Sequence, residues 1–181
     1  KLKLQTIDDE RNNFKILSHN FNGESQKLKI KYKNKIKSID LNLIGKIQLK
    51  NILMAIIAAK NSNIDLENIL KTISKLKSVN GRLERIGKIK NKSIVILDYA
   101  HTPDALKTCL LNLREQFPNK ALIVLFGCGG NRDQNKRSKM GKIASDHADI
   151  IILTNDNPRF ENPQKIIRDI KKGITKKNIT E

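Results

Sequence analysis

Aromatic residues are scarce: tyrosine, phenylalanine and tryptophan together make up 4% of the 181 residues, and tryptophan is missing altogether. Without rings interleaved among basic residues, the stacking surface used by single-strand nucleic-acid binders cannot be assembled. Cysteine is limited to Cys109 and Cys128, with no CxxC pair and no histidine at metal-ligand spacing. Neither a disulfide framework nor a zinc site is expected, and two free thiols fit a reducing cytoplasm. No apolar run approaches the roughly 20 residues needed to span a bilayer. The opening stretch, Lys1 to Asn20, holds no apolar run of signal-peptide length. The chain reads as soluble, without a membrane partner, and its start at Lys1 reads as that of a fragment or a processed product.

Acidic residues are also in short supply, 18 against 36 Lys and Arg, which leaves a formal charge of +18. Such an excess attracts nucleic acid, anionic lipid or phosphorylated small molecules. Lysine, however, recurs evenly beside Asn and Ile, as in Lys27-Leu28-Lys29-Ile30-Lys31, the pattern of a composition-wide drift. A nucleic-acid partner is not expected. A basic nucleic-acid-binding module remains the alternative from a different functional class.

The apolar residues fall in two patterns. Phe14 to Leu17 and Lys27 to Tyr32 read as antiparallel strands, with Asn22-Gly23 as a turn. From Leu49 the spacing becomes helical: Ile52, Leu53, Ile56, Ile57 and Ala59, then Leu66, Ile69, Leu70, Ile73 and Leu76. After Ser78-Val79-Asn80-Gly81 a second organisation begins. Apolar runs at Ser93 to Leu97, Ala121 to Phe126 and Ile150 to Thr154 alternate with helical stretches at Asp104 to Phe117, Lys136 to His147 and Pro163 to Lys172. Gly173 stands where a helix C-cap is expected. Wholly apolar strands alternating with helices predict a parallel sheet covered on both faces, with a domain boundary near residues 84 to 90. Met54 and Met140 fall on apolar helix faces and read as core, while His19 and His147 read as surface residues.

Open parallel sheets bind ligands outside the carboxyl ends of their strands, and each of the three runs is followed there by a polar cluster. In Asp98-Tyr99-Ala100-His101-Thr102-Pro103-Asp104, Asp98 can accept from two ribose hydroxyls and Thr102 can meet a phosphate at a helix start; either can equally serve as a helix cap. Gly127-Cys128-Gly129-Gly130-Asn131-Arg132-Asp133 matches neither GxGxxG nor GxxxxGK[ST]. Its Arg132 offers a planar fork to a carboxylate, or is a solvated residue of a plain strand-to-helix turn. Cys128 reads as packing. In Asn155-Asp156-Asn157-Pro158-Arg159, the guanidinium suits an amino acid's carboxylate and Asp156 or Asn157 its ammonium, although Asn-Pro is also a common turn.

Taken in order, these segments resemble the Mur ligases. Asp98 to Asp104 is similar to the family's nucleotide loop, Gly81-Arg82-Leu83-Glu84 to the G-R-x-E that closes its central ATPase domain, and Ile44 to Ala55 to its G-x-F-N-x-x-N-x-x-A-A segment, with Gln48 in place of the first Asn and Asn51 at the second. Phe126 to Asp133 followed by Asp156-Asn157-Pro158-Arg159 is similar to the family members that add diaminopimelate. The resemblance implies a Rossmann-like, mostly parallel α/β C-terminal domain over residues 87–181, preceded by the tail of an α/β ATP-binding domain over residues 1–86. It implies an ATP-binding role for Asn51, Arg82, Asp98, His101 and Thr102, and an amino-acid-binding role for Arg132, Asp156, Asn157 and Arg159. No catalytic or metal-binding residue is assigned. The implied partners are ATP with Mg2+, UDP-N-acetylmuramoyl dipeptide and meso-diaminopimelate, in a cytoplasmic monomer. Without a phosphate loop the chain is expected to be inactive alone. A lysine-adding relative and a folylpolyglutamate synthase-like ligase are the alternatives within enzymes.

Overall fold

The computed structural model describes residues 14–32, 34–175 and 179–180; residues 1–13, part of the expected strand region, lie outside the described residues. The chain divides into two compact units, Lys1–Asp98 and Tyr99–Glu181.

In the first unit, β1 (Phe14–Asn22), β2 (Ser25–Tyr32) and β3 (Lys35–Leu41) form an antiparallel sheet in that order. Period-two alternation in β2 sends Gln26, Leu28 and Ile30 inward and Lys27, Lys29 and Lys31 to solvent. Helices α1 (Lys46–Asn61) and α2 (Leu66–Ile73) lay Leu49, Ile52, Leu53, Ile56, Ile69 and Ile73 against that face. Met54 is not core: it is 62% exposed, because it points away from the Leu49, Ile52, Leu53 and Ile56 stripe. Nor is His19 a free surface residue, since its Nε2 lies 2.8 Å from the Oε1 of buried Gln26. The Gln26 amide nitrogen in turn donates to the Leu43 carbonyl at 2.7 Å.

Strands β4 (Glu84–Lys88) and β5 (Ile94–Leu97) form a two-stranded antiparallel ribbon in the same unit. The Ser93 to Leu97 run, expected as the first parallel strand, therefore pairs backwards with β4. The apolar run fixed neither the direction of its neighbour nor burial, since Val95 is 40% and Leu97 51% exposed.

The second unit runs α3 (Pro103–Gln116), β6 (Ile123–Phe126), α4 (Asn135–His147), β7 (Ile150–Leu153), α5 (Pro163–Lys171) and β8 (Ile179–Thr180), with a parallel sheet in the order β6-β7-β8. One core holds Leu106, Leu110, Val124, Met140, Ala144, Ile151, Leu153 and Ile170. The expectation of a sheet covered on both faces does not hold here. Val124 points into that core, whereas Ile123 and Leu125 point the other way and Leu125 is 63% exposed. Lys172 takes the α5 C-cap, and Gly173 stands directly after it. Its missing side chain serves the crossing with α4, where a Cβ would sit 1.8 Å from the Ser138 carbonyl oxygen. No helix among the described residues is long and apolar enough to cross a membrane.

Candidate functional site

Parallel pairing of β6 with β7 brings Phe126 beside Leu153, so the loops that follow leave the sheet together. The Thr154 N–H donates to the Phe126 carbonyl at 3.1 Å, and the Gly130 N–H donates to the Asn157 carbonyl at 2.9 Å. The backbones approach so closely that a Cβ on Gly130 would sit 1.9 Å from the Pro158 carbonyl oxygen; glycine is dictated there by contact. Asn157 Oδ1 accepts the Arg159 N–H at 3.2 Å, an Asx-turn that tightens the second loop. Arg159 Nη1 donates to the Gly130 carbonyl at 2.7 Å, closing the two loops on each other. Each loop also carries one non-glycine residue in the left-handed region, Asn131 and Arg159, both at φ 50°. Such residues persist only where the surroundings over-determine them.

What holds them is a charge cluster that the sequence reading missed. The side chain of Arg137, on the first turns of α4, is 0% exposed. Its Nη1 donates to Glu161 Oε2 at 2.9 Å and to Asp169 Oδ2 at 3.2 Å, and its Nη2 to Glu161 Oε1 at 2.9 Å and the Gly129 carbonyl at 3.4 Å. Glu161 Oε1 also accepts the Asn131 N–H, and Asn131 Oδ1 accepts the Phe160 N–H at 3.0 Å. The Arg137 guanidinium, and next the Asn131 N–H, hold the Glu161 carboxyl below its ordinary 4.5. Lys172 and then Arg137 lower Asp169, while Glu161 chiefly raises Arg137 further. A sequence signal existed: Arg137 lies three residues before Met140 and seven before Ala144, on the stripe that α4 buries. A charge in that register demands buried partners.

The other expected residues of this unit are placed as follows. Arg132 is exposed and its side chain makes no hydrogen bond or ion pair among the described residues; Asp156 is exposed, and so is Asn157. Phe160, between Arg159 and Glu161, is 98% exposed. Thr102 caps α3, its hydroxyl accepting the Ala105 N–H at 3.3 Å. His101 is exposed, with Nδ1 3.1 Å from the Tyr99 carbonyl oxygen and its ring edge-on to Tyr99. The Lys136 ammonium donates to the His101 carbonyl at 2.7 Å, which ties this loop to the start of α4. Cys128 is buried with its sulfur 3.8 Å from that of Met140, and burial pushes its thiol up. It packs, as expected.

In the first unit, Asn51 is exposed on α1, one turn after Gln48, whose amide nitrogen donates to the Arg82 carbonyl at 3.0 Å. Asp98 is no helix cap. Its Oδ2 accepts the N–H of Leu83 at 2.9 Å, and Leu83 is buried at φ 47°. Asn51, Arg82 and Asp98 thus fall on segments joined by two hydrogen bonds. A cavity of about 660 Å³ in this unit is lined by Asn22, Glu24, Asn42, Ser78, Glu84 and Arg85, and none of the three lines it. Among the described residues no group of three or more His, Cys, Asp or Glu could hold a metal ion.

Residues 81–181 match the family described as Mur ligase, glutamate ligase domain. The chain is 42% identical over 173 residues to the UDP-N-acetylmuramoyl-L-alanyl-D-glutamate–2,6-diaminopimelate ligase of Aquifex aeolicus, covering 93% of this chain and 34% of that protein. It is 37% identical over 176 residues to the enzyme of the same name from Leptospira interrogans, again covering 34% of it. The chain thus spans about a third of the length of these relatives. Among solved structures, a diaminopimelate ligase of that name superposes with a TM-score of 0.70 at 32% identity, over 97% of this chain and 36% of the other. Folylpolyglutamate synthase from Thermotoga maritima superposes at 0.74 over 93% of this chain and 39% of that one, but at 20% identity, a likeness of fold alone.

Proposed function

Because the chain belongs to the Mur ligase family, we propose that it is the C-terminal part of a cytoplasmic ligase that joins meso-diaminopimelate to UDP-N-acetylmuramoyl-L-alanyl-D-glutamate in peptidoglycan synthesis. The observation that carries this reading is the docking of the Asp156 to Arg159 loop on the glycine loop, with the Arg159 guanidinium anchored on the Gly130 carbonyl and the Arg132 side chain exposed on the facing loop. Two guanidinium groups on adjoining loops suit an amino acid with a carboxylate at each end. Asp156 and Asn157 supply acceptors for an ammonium group. Lysine has no second carboxylate, so binding it would leave a guanidinium without its partner, a larger penalty than a lost methylene.

In this reading ATP phosphorylates the D-glutamyl γ-carboxylate to an acyl phosphate. The diaminopimelate amine then attacks the acyl carbon and phosphate leaves. The contribution of residues 87–181 is to hold the amine in place, a matter of positioning. Asn51, Arg82, Asp98, His101 and Thr102 are assigned to the nucleotide. ATP chemistry of this kind uses magnesium, but the described residues offer no cluster for it and none is assigned to it. The domain assignment, an ATP-binding tail over 1–86 and an amino-acid domain over 87–181, belongs to the same proposal, as does the monomeric state.

The test reads the amino-acid Michaelis constant. In the full-length ligase, Arg159→Ala raises the Michaelis constant for diaminopimelate steeply; an unchanged constant refutes the assigned role. The purified 181-residue chain alone gives no ligase turnover, and diaminopimelate-dependent ATP hydrolysis by it would overturn that.

A further inference from the structure

The two loops are set by a carboxylate that belongs to neither of their exposed tips. Glu161 follows Arg159 by two residues, yet its Oε1 accepts the N–H of Asn131, the residue just before Arg132. Both of its oxygens are gripped by Arg137, at 2.9 Å each. Arg137 is in turn fixed on the α4 backbone and anchored to Asp169 on α5 at 3.2 Å. One fully buried guanidinium therefore connects two rigid helices to the backbone positions from which Arg132 and Arg159 project. The left-handed residues at 131 and 159 direct those projections, and neither conformation is favoured without outside support.

We propose that Arg137 and Glu161 are positioning residues, which fix the separation of the backbone positions that carry the Arg132 and Arg159 guanidinium groups and so select a diacidic amino acid over a monoacidic one. The inference rests on the reading that these loops take the amino acid. Recognition of two carboxylates on one small molecule requires the two cations to be held at a set distance, because a looser pair gives up the second contact first. Arg137 and Glu161 touch no substrate in this scheme. They act through Asn131 and through the chain between residues 159 and 161. An amide at 161 has a single oxygen for donors on two sides, so Glu161→Gln must give up either Asn131 or one arm of Arg137. Arg137→Lys keeps the charge but loses the fork.

The experiment is amide hydrogen exchange and side-chain guanidinium NMR on the 181-residue chain, followed by titration with diaminopimelate and with lysine. In Glu161→Gln and Arg137→Lys, the Asn131 amide should exchange at least tenfold faster and the Arg159 guanidinium signal should collapse toward that of a free side chain. Asp169→Asn, which touches the same guanidinium away from the loops, should lower the melting temperature while leaving Asn131 protected. Equal exchange in all four proteins, or equal loss in Asp169→Asn, overturns the positioning role, since a merely structural ion pair predicts that pattern. In the wild-type chain diaminopimelate should shift the Arg132 and Arg159 signals at concentrations where lysine does not, and Glu161→Gln should narrow that preference. An intact exchange contrast without any diaminopimelate preference in the wild type overturns the substrate reading instead, so the two failures are told apart.

Discussion

A guanidinium that is 0% exposed has no water to fall back on, and every partner of Arg137 is supplied by the fold. The consequence is a defined response to acid. Glu161 and Asp169 both titrate below their ordinary values of 4.5 and 3.8, so the stability they lend is present above those values and is lost as pH falls through the lowered folded values. Arg137, raised, stays charged throughout that range. The melting temperature should therefore hold down to about the ordinary carboxylate value and drop on its acid side, and Glu161→Gln should make the drop shallower. An identical acid limb in the variant would remove Glu161 from the account. Gly130 gives a second check at this scale. Gly130→Ala drives a methyl into the Pro158 carbonyl and should destabilise by about 1–3 kcal/mol in urea melts, whereas Gly87→Ala, with nothing within 4 Å of the added carbon, should not. Arg132 and Arg159 stand out as candidates in the sequence because guanidinium groups in glycine- and proline-bearing turns are conspicuous. Arg137 was hidden, because Lys-Arg at a helix start looks like solvated charge until its register with Met140 is counted.

Elements were legible wherever periodicity was long. Helices α1, α3, α4 and α5 lie where the 3.6-residue spacing put them, within a few residues at their ends. Strand direction was not legible, as the antiparallel pairing of β5 with β4 shows. Thr102 was a candidate both for helix capping and for a phosphate contact; its hydroxyl accepts from Ala105, and the phosphate contact stays with the proposal. Thr102→Ala should lower stability by about 1 kcal/mol through loss of the cap, and Thr102→Ser should restore most of it. If Thr102→Ala melts like the wild type, the cap contributes nothing and the hydroxyl is free for another role. Met54 erred for a related reason. It shares α1 with four buried aliphatic residues, but the stripe is narrow, and one step of 100° carries a side chain out of it.

On the scale of the whole chain, two compact units divide at Asp98 and Tyr99, inside the segment that reads in sequence as a single nucleotide loop. That segment looked continuous because its motif is continuous; packing cuts it after the carboxylate that closes β5 on Leu83. The second unit has its own buried core and its own charge cluster, so the two loops that carry Arg132 and Arg159 are braced within that unit.

The bare side of β6 has a colloidal consequence. Ile123 and Leu125 present an oily strip on a polypeptide whose formal charge is +18, so two opposing tendencies share one surface. At low ionic strength mutual repulsion keeps copies apart. As added sodium chloride shortens the screening distance to about 10 Å near 0.1 M, the repulsion fades while attraction between strips persists. Light scattering should accordingly report particles that grow with salt, the reverse of what an assembly held by ion pairs would do, and Leu125→Lys should postpone the growth. Scattering that falls with salt, or ignores the substitution, would mean that the strip does not govern how this chain behaves in a crowded solution.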